Sequence, residues 1–209
     1  RSTTARFKGD ILLLDKNGEV LADSSLIQPK PGNFADRDYF LAHLSSRDSG
    51  MFISRPFKIH CQCEQVWRIA FSRRVTGPDG EFAGVAVATM RLAYFDQLFS
   101  SLTIGNGNTI NLLNNQGILL AQHPVLEQDM IDKDLSSLPN FKRMLKEGSG
   151  SFRAISAISG TPRLYTFTNV GRLPLIVVVA LASADVFAAW QRAAWLRAGA
   201  TGVLCVGLL

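Results

Sequence analysis

The sequence predicts an α+β chain built as two copies of one fold in tandem, each an antiparallel sheet of about five strands with helices. Three observations lead there. A thirteen-residue segment, Ile11-Leu-Leu-Leu-Asp-Lys-Asn-Gly18-Glu-Val-Leu-Ala-Asp23, returns without a gap as Ile110-Asn-Leu-Leu-Asn-Asn-Gln-Gly117-Ile-Leu-Leu-Ala-Gln122. The repeat spacing of about 100 residues is far too long for a solenoid and close to the size of a small domain. Each copy is followed by the same succession of a helical stretch and three strand-like runs.

In both copies of the repeat an apolar run meets a polar turn, and a second apolar run follows. The glycine of each turn, Gly18 and Gly117, can take positive φ, so each copy reads as strand, tight turn and strand. After the first hairpin come a helical stretch over 34–46, an apolar run at 51–53 and a strand at 66–75. The turn Gly77-Pro-Asp-Gly80 leads into an apolar strand at 82–90, and 94–102 reads as the helix joining the halves. The second hairpin is followed by a short helix near 141–146 and by strands at 151–158, 163–170 and 175–182.

Composition sets outer bounds on function. The chain has 209 residues, of which 47% are hydrophobic and 19% charged, enough apolar material for two modest cores. Its net charge of +5 is scattered, with no basic run longer than a pair such as Arg73-Arg74. A nucleic-acid binder would need a basic stripe interleaved with aromatics, so no nucleic acid is expected. No Gly-rich phosphate loop, nucleophile elbow or His-Glu-x-x-His occurs, and His43, His60 and His123 lie in unrelated contexts. The carboxylates are spread singly through turns and caps, so neither an enzyme nor a cofactor is expected.

The last twelve residues, 198–209, carry no charge, and Trp190, Arg192, Trp195 and Arg197 precede them. This reads as an interfacial belt and the start of a transmembrane helix, the run being short of the about 20 residues a span requires. With Arg1-Ser-Thr-Thr at the other end, the chain is expected to lie between two membrane helices, outside the cytoplasm. Its three cysteines do not form a disulfide framework: Cys61 and Cys63 are one residue apart and Cys205 lies in the apolar run. His60, Cys61, Cys63 and Glu64 together offer soft-metal ligands, although the spacing is wrong for a zinc ribbon, and an ordinary loop between two strands is the preferred reading.

The informative cluster is Asp36-Arg37-Asp38-Tyr39-Phe40, after the loop Pro29-Lys-Pro-Gly32. Read as structure, Asp36 or Asp38 caps a helix and Phe40 packs on the sheet. Read as a site, Arg37 offers its planar fork to a carboxylate while Tyr39 and Phe40 wall the pocket.

The order of Arg37-Asp-Tyr-Phe40, Ile53-Ser-Arg-Pro-Phe57, Trp67-Arg-Ile-Ala-Phe-Ser-Arg-Arg74 and Phe82-Ala-Gly-Val-Ala-Val-Ala-Thr-Met90 resembles a double Cache domain, the tandem PAS-like periplasmic sensor of bacterial receptors. The likeness covers about 7–185 and is greatest to sensors preceding diguanylate cyclase or histidine kinase modules. It implies the end of a long N-terminal helix at 1–7, a membrane-distal ligand-binding module at 8–103, a membrane-proximal module at 104–185, and a juxtamembrane segment with the start of the second transmembrane helix at 186–209. A homodimer anchored in the inner membrane, with this part in the periplasm, is implied as well.

In the amino-acid-binding branch of that family an Arg at the position of Arg37 holds the ligand carboxylate, with aromatics at those of Tyr39, Phe40 and Phe57. That branch holds the ligand ammonium with carboxylates where this chain has Ile59 and Thr89. A buried ammonium without a counter-charge is costly, so the resemblance implies a small organic acid lacking the amine. If 66–75 is a strand, Trp67, Ile69, Phe71 and Arg73 share one face, and Arg68, Ala70, Ser72 and Arg74 the other. The Trp67 face is expected to look into the pocket, with Arg73 as a second anion contact. The expected ligand-binding set is therefore Arg37, Tyr39, Phe40, Phe57, Trp67, Arg73 and Thr89. The second half offers no comparable cluster, and no ligand is expected there.

Overall fold

Two antiparallel sheets carry the chain, and they have the same strand order. The structure is a computed structural model that describes residues 9–25, 31–44, 50–61, 64–105, 107–125 and 130–182, the side chains of 59–65 excepted. The expected N-terminal helix end at 1–7, the juxtamembrane segment at 186–209 and the side chains of His60, Cys61, Cys63 and Glu64 lie outside the described residues.

The N-terminal half runs β1 (Ile11–Asp15), β2 (Val20–Asp23), α1 (Asp38–Leu44), β3 (Met51–Ile53), β4 (Phe57–Cys61), β5 (Glu64–Thr76) and β6 (Phe82–Arg91). Helix α2 (Ala93–Ser100) leads to the C-terminal half: β7 (Thr109–Asn114), β8 (Leu119–His123), α3 (Pro139–Glu147), β9 (Ser149–Ile155), β10 (Pro162–Asn169) and β11 (Leu175–Ala182). The first sheet has the order β2-β1-β6-β5-β3, with β4 also on β5, and the second β8-β7-β11-β10-β9. Strand for strand, the second order repeats the first.

The sequence repeat persists down to single hydrogen bonds. Asp15 Oδ1 accepts from the N–H groups of Asn17 and Glu19, each at 2.8 Å, and Asn114 Oδ1 accepts from Gln116 at 3.1 Å and Ile118 at 2.9 Å. These side-chain turns hold the glycine of each hairpin at positive φ, 82° at Gly18 and 88° at Gly117. Each hairpin then grips the segment that leads to its helix: Phe34 N–H donates to Gly18 O at 2.8 Å, and Leu135 N–H to Gly117 O at 2.9 Å. A methyl group on Gly18 would sit 2.5 Å from Ala35 N, and one on Gly117 would sit 2.8 Å from Ser136 N. Gly18→Ala and Gly117→Ala should therefore each cost about 2 kcal/mol or more, the sum of left-handed strain and overpacking. Urea denaturation measures it; a cost under about 0.5 kcal/mol at both sites would contradict the grip.

Three differences from expectation have physical causes. The first sheet has six strands among the described residues, because β5 spans thirteen residues and carries two edge partners in succession. β3 pairs with Phe71–Arg73 and β4 with Glu64–Arg68, so the stretch expected as a loop forms the β4–β5 hairpin. Helix α1 starts at Asp38 rather than 34, since the Glu19–Asn33 bridge and the Ala35 N–H to Asn33 Oδ1 bond of 2.9 Å hold the preceding residues in a turn. The strand expected at 151–158 ends at Ile155, where Ser156 Oγ accepts from Ile158 N–H at 3.3 Å and Ser159 N–H at 3.2 Å.

Each sheet carries a buried apolar cluster on both faces. One face of the first sheet packs on α1 through Leu14, Tyr39, Phe40, Ala70, Val85 and Val87. One face of the second packs on α3 through Leu113, Phe141, Met144, Phe152, Phe167 and Val178. The two remaining faces close on each other: Ile53, Ile69, Leu92 and Phe99 meet Ile110, Leu112, Leu120 and Leu175, with Trp67 and Phe71 at the margin. A strand buried on both sides carries apolar residues at odd and even positions alike, which is why β5 reads Trp-Arg-Ile-Ala-Phe without clean alternation.

Candidate functional site

The start of α1 and the adjacent strands bring the candidate residues together. Asp38 sits in the first turn of α1, where its charge suits the helix dipole; its Oδ1 accepts from Tyr39 N–H at 2.7 Å and its Oδ2 from Arg55 N–H at 2.8 Å. Arg55 in turn reaches the C-terminal half, Nε to Asp132 Oδ1 at 2.8 Å and Nη2 to Asp132 O at 2.9 Å. The beginning of α1 is thereby tied to the second half through one arginine.

Arg37, just before the helix, has a half-exposed side chain whose ion-pair contact is Asp36 Oδ1 at 3.8 Å. Its fork is available to a solute. Tyr39 and Phe40 are buried, and they diverge: the Tyr39 ring lies 6.2 Å from that of Phe57, while Phe40 meets Phe82 edge-on at 5.6 Å. Phe40 is a core residue by contact. Burial pushes the Tyr39 phenol up to about 12, against a smaller opposing pull from Arg37. Since the folded value lies above the unfolded one of about 10, the stability linked to this group is complete below pH ~10 and lost as the pH climbs toward ~12. In a spectrophotometric titration, one of the three tyrosines should ionise near pH 12. Loss of that high midpoint in Tyr39→Phe assigns it to Tyr39; a Tyr39 midpoint near 10 would instead place its phenol in water.

The face of β5 that meets α1 is the opposite of the one expected. Ala70 belongs to the α1 cluster, whereas Trp67, Ile69 and Phe71 pack toward the second half. Trp67 lies under Lys58 Nζ at 4.7 Å and borders the cleft between the halves; Arg73 is exposed on that same side of the strand. The placement of Trp67 and Arg73 with Arg37 is therefore corrected. The packing of the two halves claims the Trp67 face, a demand that no local pattern reveals.

In their place stands Arg68, only 5% exposed. Its Nη1 donates to Asp10 Oδ2 at 2.6 Å and to Thr89 Oγ1 at 3.1 Å. Register sets Arg68 opposite Phe57 on one side and Arg91 on the other, and Ala70 opposite Thr89. Cross-strand partners share a face, so Phe57, Arg68, Thr89 and Arg91 form one row beside Tyr39. Thr89 belongs to this row, and its Oγ1 also accepts from Asp10 N–H at 3.1 Å. The Nε atoms of Arg68 and Arg91 are both buried and without a hydrogen-bond partner among the described residues.

Arg68 and Arg91 are cross-strand partners in the register, and Asp10 pairs with Arg68, so two cationic residues share one carboxylate neighbour and leave unused donors. Like charges directly opposite are destabilising unless an anion or solvent intervenes. The arrangement suits a small anion, for which Arg offers planar, two-pronged donation. Arg68 was missed because its strand face was not chosen, Asp10 because it precedes β1, and Arg91 because it is the last residue of β6. The available signal was an arginine between Trp67 and Ile69, since a charge inside an apolar run needs a partner.

Other chemistry finds little support. His43 Nε2 lies 2.9 Å from Ser72 Oγ, but both residues are buried in the core, and burial lowers the imidazole below its ordinary range. No group of three or more His, Cys, Asp or Glu side chains that could hold a metal occurs among the described residues. Nor is any helix among them long and apolar enough to cross a membrane.

Comparison with known proteins follows the fold. The sequence profile of the Cache domain matches residues 2–190. The extracellular domain of rpHK1S-Z16, a protein assigned as a histidine kinase, is 30% identical, with a TM-score of 0.70 over 86% of this chain and 73% of that one. The periplasmic sensory domain of the Campylobacter jejuni chemoreceptor Tlp1 is 14% identical, with a TM-score of 0.60 over 87% of this chain and 73% of that one. The ligand-binding domain of the Pseudomonas aeruginosa PAO1 amino-acid chemoreceptor PctB, in complex with L-Arg, is 18% identical, with a TM-score of 0.58 over 86% and 73%. No curated protein matches the sequence.

Proposed function

The chain belongs to the Cache domain family of sensor modules, which bind ligands rather than catalyse, and on that premise we propose that its N-terminal half binds a small carboxylate for a bacterial membrane receptor. The observation that carries the ligand class is the buried Arg68, paired across strands with Arg91 and in contact with Thr89. Where the amino-acid-binding branch it resembles has two acids for the ligand ammonium, this chain has Ile59 and Thr89, and Arg68 donates to the Thr89 hydroxyl. A short organic acid meets Arg37 at the helix start and Arg68 at the sheet, with Tyr39 and Phe57 as walls. Phe40 holds the helix on the sheet from the core. Trp67 and Arg73 take no part.

In this reading the N-terminal half is membrane-distal, and the C-terminal half is proximal and passes the signal through a second transmembrane helix to a cytoplasmic effector such as a histidine kinase or diguanylate cyclase. The receptor works as a homodimer in the inner membrane with this part in the periplasm. Ligand can shift the receptor only by its differential affinity for two states. The tie from Asp38 through Arg55 to Asp132 is a short route by which closure at α1 reaches the second half.

The test is a thermal-shift panel of short mono- and dicarboxylates against α-amino acids, with Arg37→Ala in parallel. At a hundredfold excess over Kd a ligand adds about 2.7 kcal/mol, roughly 5–10 °C for a chain of this size. Stabilisation by carboxylates that weakens in Arg37→Ala is expected. Stabilisation by α-amino acids alone would overturn the ligand class and assign Asp10 to the ligand ammonium instead.

A further inference from the structure

The C-terminal half holds a cavity between its sheet and α3, at the place that corresponds to the α1 cluster in the N-terminal half. It has two adjoining lobes of about 70 and 50 Å³ that share Asn111, Ser156, Ile158 and Tyr165. The larger lobe is walled by apolar side chains, among them Leu113 and Met144; the smaller contains Gln122. Gln122 is only 5% exposed. Its Nε2 donates to Asn111 Oδ1 at 2.8 Å, and its Oε1 is buried with no hydrogen-bond partner among the described residues. A buried acceptor left without a donor costs folding free energy, so the position has a use only if something supplies the hydrogen.

The wall chemistry narrows what that is. Among the described residues no Asp or Glu lines either lobe, so none of them would neutralise a cationic ligand. The one cation among the described lining residues, Arg163, is already engaged with Gly107 O at 2.9 Å and Ser159 Oγ at 3.3 Å. We infer that the C-terminal half carries a second small-molecule site, which takes an uncharged amide or alcohol whose N–H or O–H donates to Gln122 Oε1 and whose apolar end lies against Leu113 and Met144. Benzene occupies a cavity of about 150 Å³, so about six heavy atoms is the upper size. The site stands independently of the N-terminal one and replaces the sequence-based expectation of no ligand in this half.

The experiment is a titration of the isotope-labelled 209-residue chain with butyramide, followed by NMR. Saturable shifts centred on the side-chain amides of Gln122 and Asn111 and the Met144 methyl are expected. Gln122→Leu, which keeps the bulk and removes the acceptor, should weaken binding at least tenfold, while Arg68→Met leaves it unchanged. Leu138→Phe, which fills the larger lobe, serves as a second variant should Gln122→Leu fail to fold, and should abolish the shifts. Absence of saturable shifts at these residues, or undiminished binding in a folded variant, would overturn the site.

Discussion

Arg68→Met is expected to lose almost all stabilisation by small carboxylates while the unliganded chain remains folded. Hydrogen bonds to charged groups contribute about 1.5–3 kcal/mol each, so if the proposed carboxylate takes two from this guanidinium, its removal should raise Kd by roughly a hundredfold or more. The effect on the empty protein is smaller and can take either sign. Arg68 is buried, but its partner Asp10 is about one-third exposed at the side chain and regains water when the cation is removed. Replacing a buried ion pair's member by an apolar chain of similar volume spares the desolvation of the guanidinium, which offsets part of the lost attraction. Calorimetric titration with the best carboxylate of the panel gives the answer. Unchanged affinity in Arg68→Met would remove the argument from the buried arginine of β5 and move the ligand to Arg37 at the helix start.

Phe40→Ala is expected to cost about 3–5 kcal/mol of stability, the usual penalty for truncating a buried aromatic. Phe40 is 2% exposed, contacts Phe82 edge-on and shares a cluster with Leu14, Val85 and Val87. Helix α1 has only seven residues, too short to persist without its packing, so this ring holds the helix on the sheet. Chemical denaturation should show the loss with no ligand present. Were Phe40 a wall of an open pocket, its truncation would cost little stability and would act on ligand affinity instead. The two outcomes separate core from site at a position that the sequence left open to both.

Most of the architecture was legible in the chain because its determinants are local. Asp15 and Asn114 lie at matching places in the two copies and make the same turn, so two hairpins could be read from one motif. The glycines at 18, 80 and 117 mark turns that the structure retains. β4 was missed because five residues after a proline give too short a pattern, and its strand character depends on the reach of β5 beyond β3. Phe57 and Thr89, two of the residues expected from sequence, lie in the same row as Arg68, and Tyr39 packs beside Phe57 from α1.

What the sequence determined by itself was the tandem repeat, the succession of hairpin, helix and strands, and the cluster at the start of α1, since each rests on residues adjacent in the chain. What only the tertiary structure decided was which face of β5 looks at α1. A strand buried on both sides offers apolar residues to each, and its pattern cannot say which side meets the helix. The choice is made by contacts more than 40 residues away, when Ile69 closes on Ile110 and Leu112 and turns Arg68 toward Asp10 and Thr89.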